Sequence, residues 1–247
     1  MIEEFKISFC IPCMDRLNNI IETLPKNIED NKDYLNVEFV LLDYNSKDGL
    51  GDWIKKEMMK YIESGVLSYC RTEEPKLFHM SHSKNVSHKL ATGKMVCNLD
   101  ADNFTTPGFA RYLYNESKGR KNKIIFARGA SKLFGKLALF KDDFINELNG
   151  YDEMMQNYGY EDRDLYERAK NCKFKVIFYG DERFKRINHS TEISVKNFSC
   201  KNTLASSEIN KSIFKWHMDL KAKKMNVGKS WGIAKVIKNF SEEIITV

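Results

Sequence analysis

Short apolar runs alternate with amphipathic stretches through most of the chain. The apolar runs predict seven strands, at residues 6–11, 37–42, 67–70, 95–99, 123–127, 136–140 and 173–178. The stretches between them predict helices near 16–29, 51–64, 81–92, 107–119 and 162–172. The run at 37–42 is nearly continuous in apolar character, which is typical of a strand covered on both faces. We therefore expect an α/β fold with a mainly parallel sheet flanked by helices.

Beyond about residue 190 the pattern predicts two amphipathic helices. Their apolar positions follow i, i+4, i+7, i+11 spacing, and are Ile209, Ile213, Trp216 and Leu220, then Ile233, Ile237, Phe240 and Ile244. We predict a domain over 1–189, with halves 1–103 and 104–189, and a helical extension over 190–247.

The positive charge lies in that extension. The chain has a formal net charge of +6, and residues 185–247 carry 12 Lys/Arg against 5 Asp/Glu. One hypothesis is that the basic helices lie on an anionic membrane. The other, which ordinary amphipathicity favours, is that their apolar stripes pack on the domain while the lysines face solvent. The basic segment contains no recognised nucleic-acid-binding motif, so we expect no nucleic-acid partner.

The sequence predicts a cytoplasmic protein, peripheral at the inner face of the membrane if the membrane hypothesis holds. No apolar run approaches the roughly 18 residues of a membrane span. Glu3 and Glu4 precede only a short apolar stretch, unlike a signal peptide. Most of the six cysteines lie in or beside apolar stretches, as expected for free thiols. Cys10 and Cys13 close a strand and have no second pair, which argues against a redox or zinc site.

Polar residues follow three of the predicted strands, at the edge where ligands bind in such sheets. They are Arg16, shortly after Pro12, beyond the first strand, Asp43 and Asn45 after the second, and Asp100 and Asp102 after the fourth. The sequence lacks a Gly-x-Gly-x-x-Gly and a Walker motif, so we do not expect phosphates to be held by a glycine loop. A carboxylate-bound divalent metal is the alternative.

Two acidic clusters each allow two interpretations. Asp100 and Asp102 could bind a metal and a ribose, or could form a turn or helix cap. Glu161 and Asp162 could supply a general base beside aromatic rings, or could complement a helix dipole in a first turn.

Taken together, these segments resemble the family-2-like glycosyltransferases with a galactosyltransferase-type C-terminal half. The matching segments span residues 6 to 190 and are 7–12, 37–46, Ser83-Lys84-Asn85 through Ala91-Thr92-Gly93, 135–140, Gly150-Tyr151-Asp152-Glu153 and 158–164. The resemblance implies a GT-A fold, with a Rossmann-like, mainly parallel sheet. The chain departs from the family pattern at Met14-Asp15, Lys84 and Tyr160, which affects the donor's identity and the shape of the acceptor pocket.

The resemblance also implies roles for individual residues. Donor contacts fall on Pro12, Arg16, Asp43, Asn45, Lys84 and Asp100. Asp102 and His189 become ligands of Mn²⁺ or Mg²⁺. Acceptor contacts fall on Tyr158, Glu161 and Asp162. Asp162 matches the position of the family's catalytic base, and Glu161 assists beside it.

The implied function is transfer of a hexose from a UDP-sugar to a hydroxyl of a glycan or lipid-linked saccharide. The sugars considered are Gal, GalNAc, Glc and GlcNAc. One base without a separate nucleophile predicts inversion by direct displacement. The alternatives are a retaining transferase of the same fold, a sugar-nucleotide pyrophosphorylase, which usually has a basic glycine-rich loop that this sequence lacks, and a non-catalytic carbohydrate-binding or scaffold protein.

Overall fold

A computed structural model describes residues 4–120, 122–128, 136–188 and 195–247. The strands are β1 (Ile7–Cys13), β2 (Val37–Tyr44), β3 (Leu67–Thr72), β4 (Met95–Asn98), β5 (Asn103–Phe104), β6 (Ile124–Arg128), β7 (Ala138–Phe140), β8 (Lys175–Tyr179), β9 (Lys185–Arg186), β10 (Lys235–Lys238) and β11 (Ile244–Thr246). The helices are α1 (Leu17–Asp30), α2 (Leu50–Glu57), α3 (Met59–Glu63), α4 (Met80–Leu90), α5 (Phe109–Ser117), α6 (Lys141–Asp143), α7 (Glu161–Asn171) and α8 (Thr203–Asp219). A π-helical turn, Phe144–Leu148, continues α6.

The central sheet has nine strands in the order β11-β10-β3-β2-β1-β4-β7-β6-β8. Strands β3, β2, β1 and β4 run parallel, and β6 and β8 run parallel to each other. Only β7 and β10 run against their neighbours, so seven of the nine strands point the same way. This confirms the α/β prediction, and each of the seven predicted strands is present.

Both faces of the sheet are covered. Alternate residues of a strand point to opposite faces, so Phe9 of β1 packs in one layer and Cys10 in the other. The first layer contains residues of α1, α2 and α5, and the second contains residues of α7 and the π-helical turn. Every residue of β1 and β2 is buried, as their continuous apolar character predicted.

The second C-terminal helix was predicted wrongly. Its residues form the antiparallel strands β10 and β11, and β10 pairs with β3 at the edge of the central sheet. Asn239 and Phe240 adopt positive φ angles of 52° and 61° and end β10. The apolar spacing matched a helix by coincidence, whereas the β-branched residues Val236 and Ile237 favour a strand. Residues 190–247 are therefore not a wholly helical extension, because their last strands complete the sheet.

The first C-terminal helix exists as α8, but it does not pack as expected. Ile209, Trp216 and Leu220 are 62%, 54% and 62% exposed, so its apolar stripe faces away from the domain. The buried positions of α8 are polar: Ser206, Asn210 and His217.

None of the helices in the described ranges is both long enough and apolar enough to cross a bilayer. All six cysteines are free, and four of them are buried, as the sequence predicted.

Candidate active site

A cleft of about 320 Å³ opens beyond the carboxyl ends of β1 and β4. These two strands are neighbours, so the residues that follow them meet at one edge of the sheet. Five of the residues predicted from the sequence line the cleft: Pro12, Arg16, Asp100, Asp102 and Tyr158.

The structure adds cleft residues that the sequence did not indicate. They are Met14, Phe78, Met80, Ala101, Arg186, Ile187, Asn197 and Phe198. Arg186 belongs to β9, which pairs with β5 in a small two-stranded sheet. Strand β5 follows directly after the Asp100–Asp102 turn, so this pairing places Arg186 at the cleft. The Asp102 carbonyl accepts a hydrogen bond from the Ile187 amide at 2.8 Å, which fixes this arrangement.

Positive and negative groups alternate around the cleft. Burial lowers the pKa of Arg16, and the nearby negative charge of Asp102 opposes that shift. Arg186 lines the same cleft. Guanidinium groups present planar donors that match phosphate oxygens, so the cleft suits an anionic ligand held beside carboxylates.

Beneath the cleft wall, Lys84 of α4 joins the two acidic clusters. Its Nζ lies 2.8 Å from Glu161 Oε1, 2.7 Å from Asp162 Oδ1 and 4.0 Å from Asp100 Oδ1. Lys84 is fully buried. Burial would lower the pKa of Lys84, but Asp162, Glu161 and Asp100 raise it well above its usual value, so the ammonium stays charged.

Glu161 and Asp162 occupy the first turn of α7, where carboxylates complement the helix dipole. They are 7% and 9% exposed, so each keeps a small accessible part, and Lys84 connects them to Asp100 in the cleft lining. Burial raises the pKa of Asp162, and the charge of Lys84 only partly offsets that rise. The structure thus brings both sequence-predicted acidic clusters to one cation. The general-base and helix-dipole interpretations of the second cluster are compatible.

Two further matched motifs, the one that contains Asn85 and the one that begins at Gly150, pack against each other. The Asn85 side chain donates to the Tyr151 carbonyl at 2.9 Å and to Glu153 Oε1 at 2.9 Å, and its Oδ1 accepts from the Tyr151 amide at 2.7 Å. Gly150, with φ +75°, has no room for a side chain, because a Cβ would lie 2.5 Å from Trp231.

Three predicted donor residues do not line the cleft: Lys84, described above, and Asp43 and Asn45. Asp43 is fully buried, and its oxygens accept hydrogen bonds from Arg71 Nη1, the Tyr69 hydroxyl and the Ser46 amide at 2.5, 2.6 and 2.8 Å. Asn45 donates to the Pro75 carbonyl at 2.7 Å. Direct contact of either residue with a nucleotide therefore stays a prediction.

The metal site is only partly described. His189 lies outside the described residues, and the described ranges contain no group of three or more His, Cys, Asp or Glu placed to hold a metal ion. The carboxylates of Asp100 and Asp102 in the cleft provide the hard oxygen ligands that Mg²⁺ and Mn²⁺ prefer. A metal that also binds substrate phosphates needs only one or two protein carboxylates, so these residues fit such an ion.

The Lys84 cluster generates a stability prediction. Lys84→Met should lower the free energy of unfolding by about 3–5 kcal/mol, because it leaves buried carboxylates without their counterion. Urea titration with circular dichroism measures this. The control is Lys56→Met, which removes an ion pair from a lysine side chain that is 81% exposed. Equal unfolding midpoints for the two variants would contradict the proposed importance of the cluster.

Comparison with known proteins supports the resemblance. Residues 121–190 match the family model described as the N-terminal domain of galactosyltransferase. A search of curated proteins gave no significant match.

Solved structures with a similar fold are glycosyltransferases. The mannosyltransferase PcManGT from Pyrobaculum calidifontis, solved with GDP-Man and Mn²⁺, is 14% identical with a TM-score of 0.61 over 89% of this chain and 74% of that chain. Residues 1–349 of S. aureus TarS, solved with UDP, are 14% identical with a TM-score of 0.59 over 87% and 72%. A Drosophila beta-1,4-galactosyltransferase 7 variant, solved with manganese, UDP-Gal and xylobiose, is 12% identical with a TM-score of 0.55 over 98% and 91%.

Both findings support the prediction that the chain is a glycosyltransferase. The chain has the fold of GT-A glycosyltransferases, and its residues 121–190 are similar to the N-terminal domain of galactosyltransferase.

Proposed function

We propose that the protein is a metal-dependent glycosyltransferase that moves a hexose from a UDP-sugar to an acceptor hydroxyl. The observation that carries this proposal is the convergence of Asp100, Glu161 and Asp162 on the Lys84 ammonium beside the cleft. It joins the predicted donor cluster to the predicted acceptor cluster, as a transfer reaction requires.

The donor side of the cleft suits a nucleotide diphosphate. Arg16 and Arg186 can pair with phosphate oxygens, while Asp100 faces the ribose as the family resemblance implies. Asp102 would hold Mn²⁺ or Mg²⁺, with His189 as the second protein ligand. When bound, the metal supplies Lewis-acid stabilisation of the leaving diphosphate. Structures of similar fold that were solved with UDP or UDP-Gal support a uridine nucleotide in the donor. Structures of similar fold that were solved with manganese support a divalent metal as the cofactor.

On the acceptor side, Asp162 is proposed as the general base. Lys84 holds its carboxylate at 2.7 Å and limits its rotation. As the acceptor oxygen forms its bond to the anomeric carbon, the bond from that carbon to the phosphate oxygen breaks, and Asp162 takes the acceptor proton. Glu161 would orient the acceptor hydroxyl, and the Tyr158 ring, 40% exposed at the cleft, would stack on the acceptor sugar.

This assignment gives one base and no protein nucleophile, so we propose inversion at the anomeric carbon. A retaining transferase is the alternative, and the anomeric configuration of the product distinguishes the two. Among the sugars considered, Gal, GalNAc, Glc and GlcNAc, the galactosyltransferase-family segment favours Gal or GalNAc. The acceptor is proposed to be a glycan or a lipid-linked saccharide.

Peripheral contact with an anionic membrane is part of the proposal. The exposed stripe of α8 presents Ile209, Trp216 and Leu220 to solvent, where their exposure costs free energy unless a partner covers them. Four exposed lysines follow the helix: Lys221, Lys223, Lys224 and Lys229. Apolar residues bordered by lysines match the chemistry of an anionic lipid surface, and the same lysines would repel one another across a contact between two copies.

The first prediction concerns the donor. Isothermal calorimetry with UDP-Gal or UDP-GalNAc should detect binding in Mn²⁺ that is lost in EDTA, because a metal held by Asp102 would supply positive charge to the donor diphosphate. Asp102→Asn should weaken donor and metal binding together by at least about tenfold. Asp52→Asn, at an exposed residue of α2, is the matched control and should bind as wild type. Equal donor affinity in Mn²⁺ and EDTA would refute metal dependence.

The second prediction concerns the base. Asp162→Asn keeps size and shape but removes the basic carboxylate, so turnover should fall by about 10²-fold or more. Donor and metal affinity should stay near wild type, which separates this variant from Asp102→Asn. Steady-state kinetics and calorimetry provide the two measurements. Near-normal turnover would move the base assignment to Glu161.

The third prediction concerns the membrane. The protein should co-sediment with phosphatidylglycerol vesicles at low salt and much less with phosphatidylcholine vesicles. Combined Ile209→Ser, Trp216→Ser and Leu220→Ser should abolish binding, whereas Leu35→Ser, at an unrelated side chain that is 91% exposed, should not. Failure to co-sediment with either vesicle would remove the membrane proposal. A wild-type dimer that the triple variant dissociates would assign the stripe to self-association.

A further inference from the structure

Helix α8 turns a polar face toward the domain. Ser206, Asn210 and His217 are 2%, 1% and 2% exposed, while the apolar stripe of the same helix faces solvent. A buried polar group is costly unless it is hydrogen-bonded, so the partners of these three side chains explain the unusual orientation of the helix. All of those partners outside α8 belong to residues 152–164, which contain the proposed acceptor residues.

Asn210 holds the loop that precedes α7. Its Nδ2 donates to the carbonyls of Gln156, Tyr158 and Gly159 at 2.9, 3.3 and 2.8 Å. Ser206 Oγ donates to the same Tyr158 carbonyl at 3.4 Å. Asn210 and Ser206, which lies one turn earlier on α8, thereby fix the backbone that positions the Tyr158 ring at the cleft.

The loop needs such support because its backbone is strained. Asn157, Gly159 and Tyr160 have φ angles of 60°, 95° and 74°, a region that non-glycine residues rarely adopt. Such conformations persist only where surrounding contacts impose them. The side chain of Asn157 is held as well, since its Oδ1 accepts from Ser199 Oγ at 2.8 Å and from the Cys200 amide at 3.1 Å. The segment leading into α8 thus braces the same loop.

His217 holds the first turn of α7. Its Nδ1 lies 2.7 Å from Asp164 Oδ1, and its Nε2 lies 3.5 Å from Asp152 Oδ2. The other Asp164 oxygen accepts from Arg168 Nε at 2.6 Å. Burial raises the pKa of Asp164, but Arg168 and His217 more than offset that rise, so the carboxylate stays ionised in the core. The contacts of Asp164 therefore connect α7 to α8.

We propose that Asn210 and His217 are positioning residues for sugar transfer, with Asn210 aligning the acceptor platform and His217 aligning the base. This inference rests on the proposed function. Hydrogen bonds to particular carbonyls and carboxylates select one register of α8 against the loop, whereas an apolar contact tolerates sliding. An error of about 1 Å in such placement can cost about 10²-fold in rate. Both residues lie outside the segment that matches the galactosyltransferase family.

The test compares Asn210→Leu and His217→Phe with Ser212→Ala. Ser212 Oγ donates to the Glu208 carbonyl of its own helix and the residue lies on the exposed side of α8, so its variant is the control. Asn210→Leu should raise the acceptor KM about tenfold or more with a smaller change in kcat. His217→Phe should lower kcat by about tenfold or more with a smaller change in acceptor KM. Donor affinity measured by calorimetry should stay within about twofold in all three.

Hydrogen exchange provides an activity-independent measurement. In Asn210→Leu the amides of residues 156–160 should exchange faster than in wild type, while those of β1 and β2 stay protected. Faster exchange with unchanged acceptor kinetics would overturn the positioning role. A loss of donor affinity that accompanies the change in acceptor KM or kcat would also overturn the positioning role, because it would indicate general destabilisation. If the wild-type protein transfers no sugar, the proposed function fails. Unchanged exchange of residues 156–160 in Asn210→Leu would separately refute the proposal that Asn210 holds this loop.

Discussion

The Lys84 ammonium and its three carboxylates are the interaction on which the rest of the site depends. Removing a charge from water costs several kcal/mol, and this cost is recovered only when opposite charges are close and well placed. Asp162 and Glu161 satisfy that condition at 2.7 and 2.8 Å, and Asp100 contributes at 4.0 Å. Burial raises the pKa of Asp100 to about 7, and the negative charges of Asp162 and Asp102 add to that rise, although the charge of Lys84 opposes it. The cluster therefore creates a local potential that favours cations, which fits a site built around a divalent metal.

That ion pair acts across the domain because the sheet has already placed its partners. Asp100 follows β4, Lys84 lies on α4, and the two acids begin α7. Asn85, the residue after Lys84, donates hydrogen bonds to Tyr151 and Glu153 and so fixes the turn that contains them against α4. Neighbouring positions on one helix thus perform two tasks. Lys84 neutralises charge, and Asn85 sets the spacing that lets Lys84 reach its partners.

The sequence predicted seven of the eleven strands in the described residues, because each of the seven contains a short apolar run; the two-residue β5 and β9 and the C-terminal β10 and β11 were not predicted. It also placed Asp100 and Asp102 directly after a strand and Glu161 and Asp162 in the first turn of a helix, while their roles in a site came from the family resemblance. The cleft residues Arg186, Asn197 and Phe198 lie in segments without periodicity, and only tertiary pairing brings them to the site. The burial of α8 was mispredicted for a related reason. Its hydrogen bonds to carbonyls of a distant loop outweigh its own apolar pattern, and no local feature of the helix reveals those partners.

The pairing of β10 with β3 has a consequence for how the chain folds as it is made. The Tyr69 amide donates to Asn239 Oδ1, a partner 170 residues later, and the backbone ladder joins Ile237 to Arg71. During synthesis β3 must remain an open edge while all the intervening residues leave the ribosome. An unpaired edge strand is a template for association with other chains. Closing so long a loop is also slow compared with local contacts. A nascent chain of this protein is therefore most vulnerable to misassembly along β3, and chaperone binding there would protect it until β10 emerges.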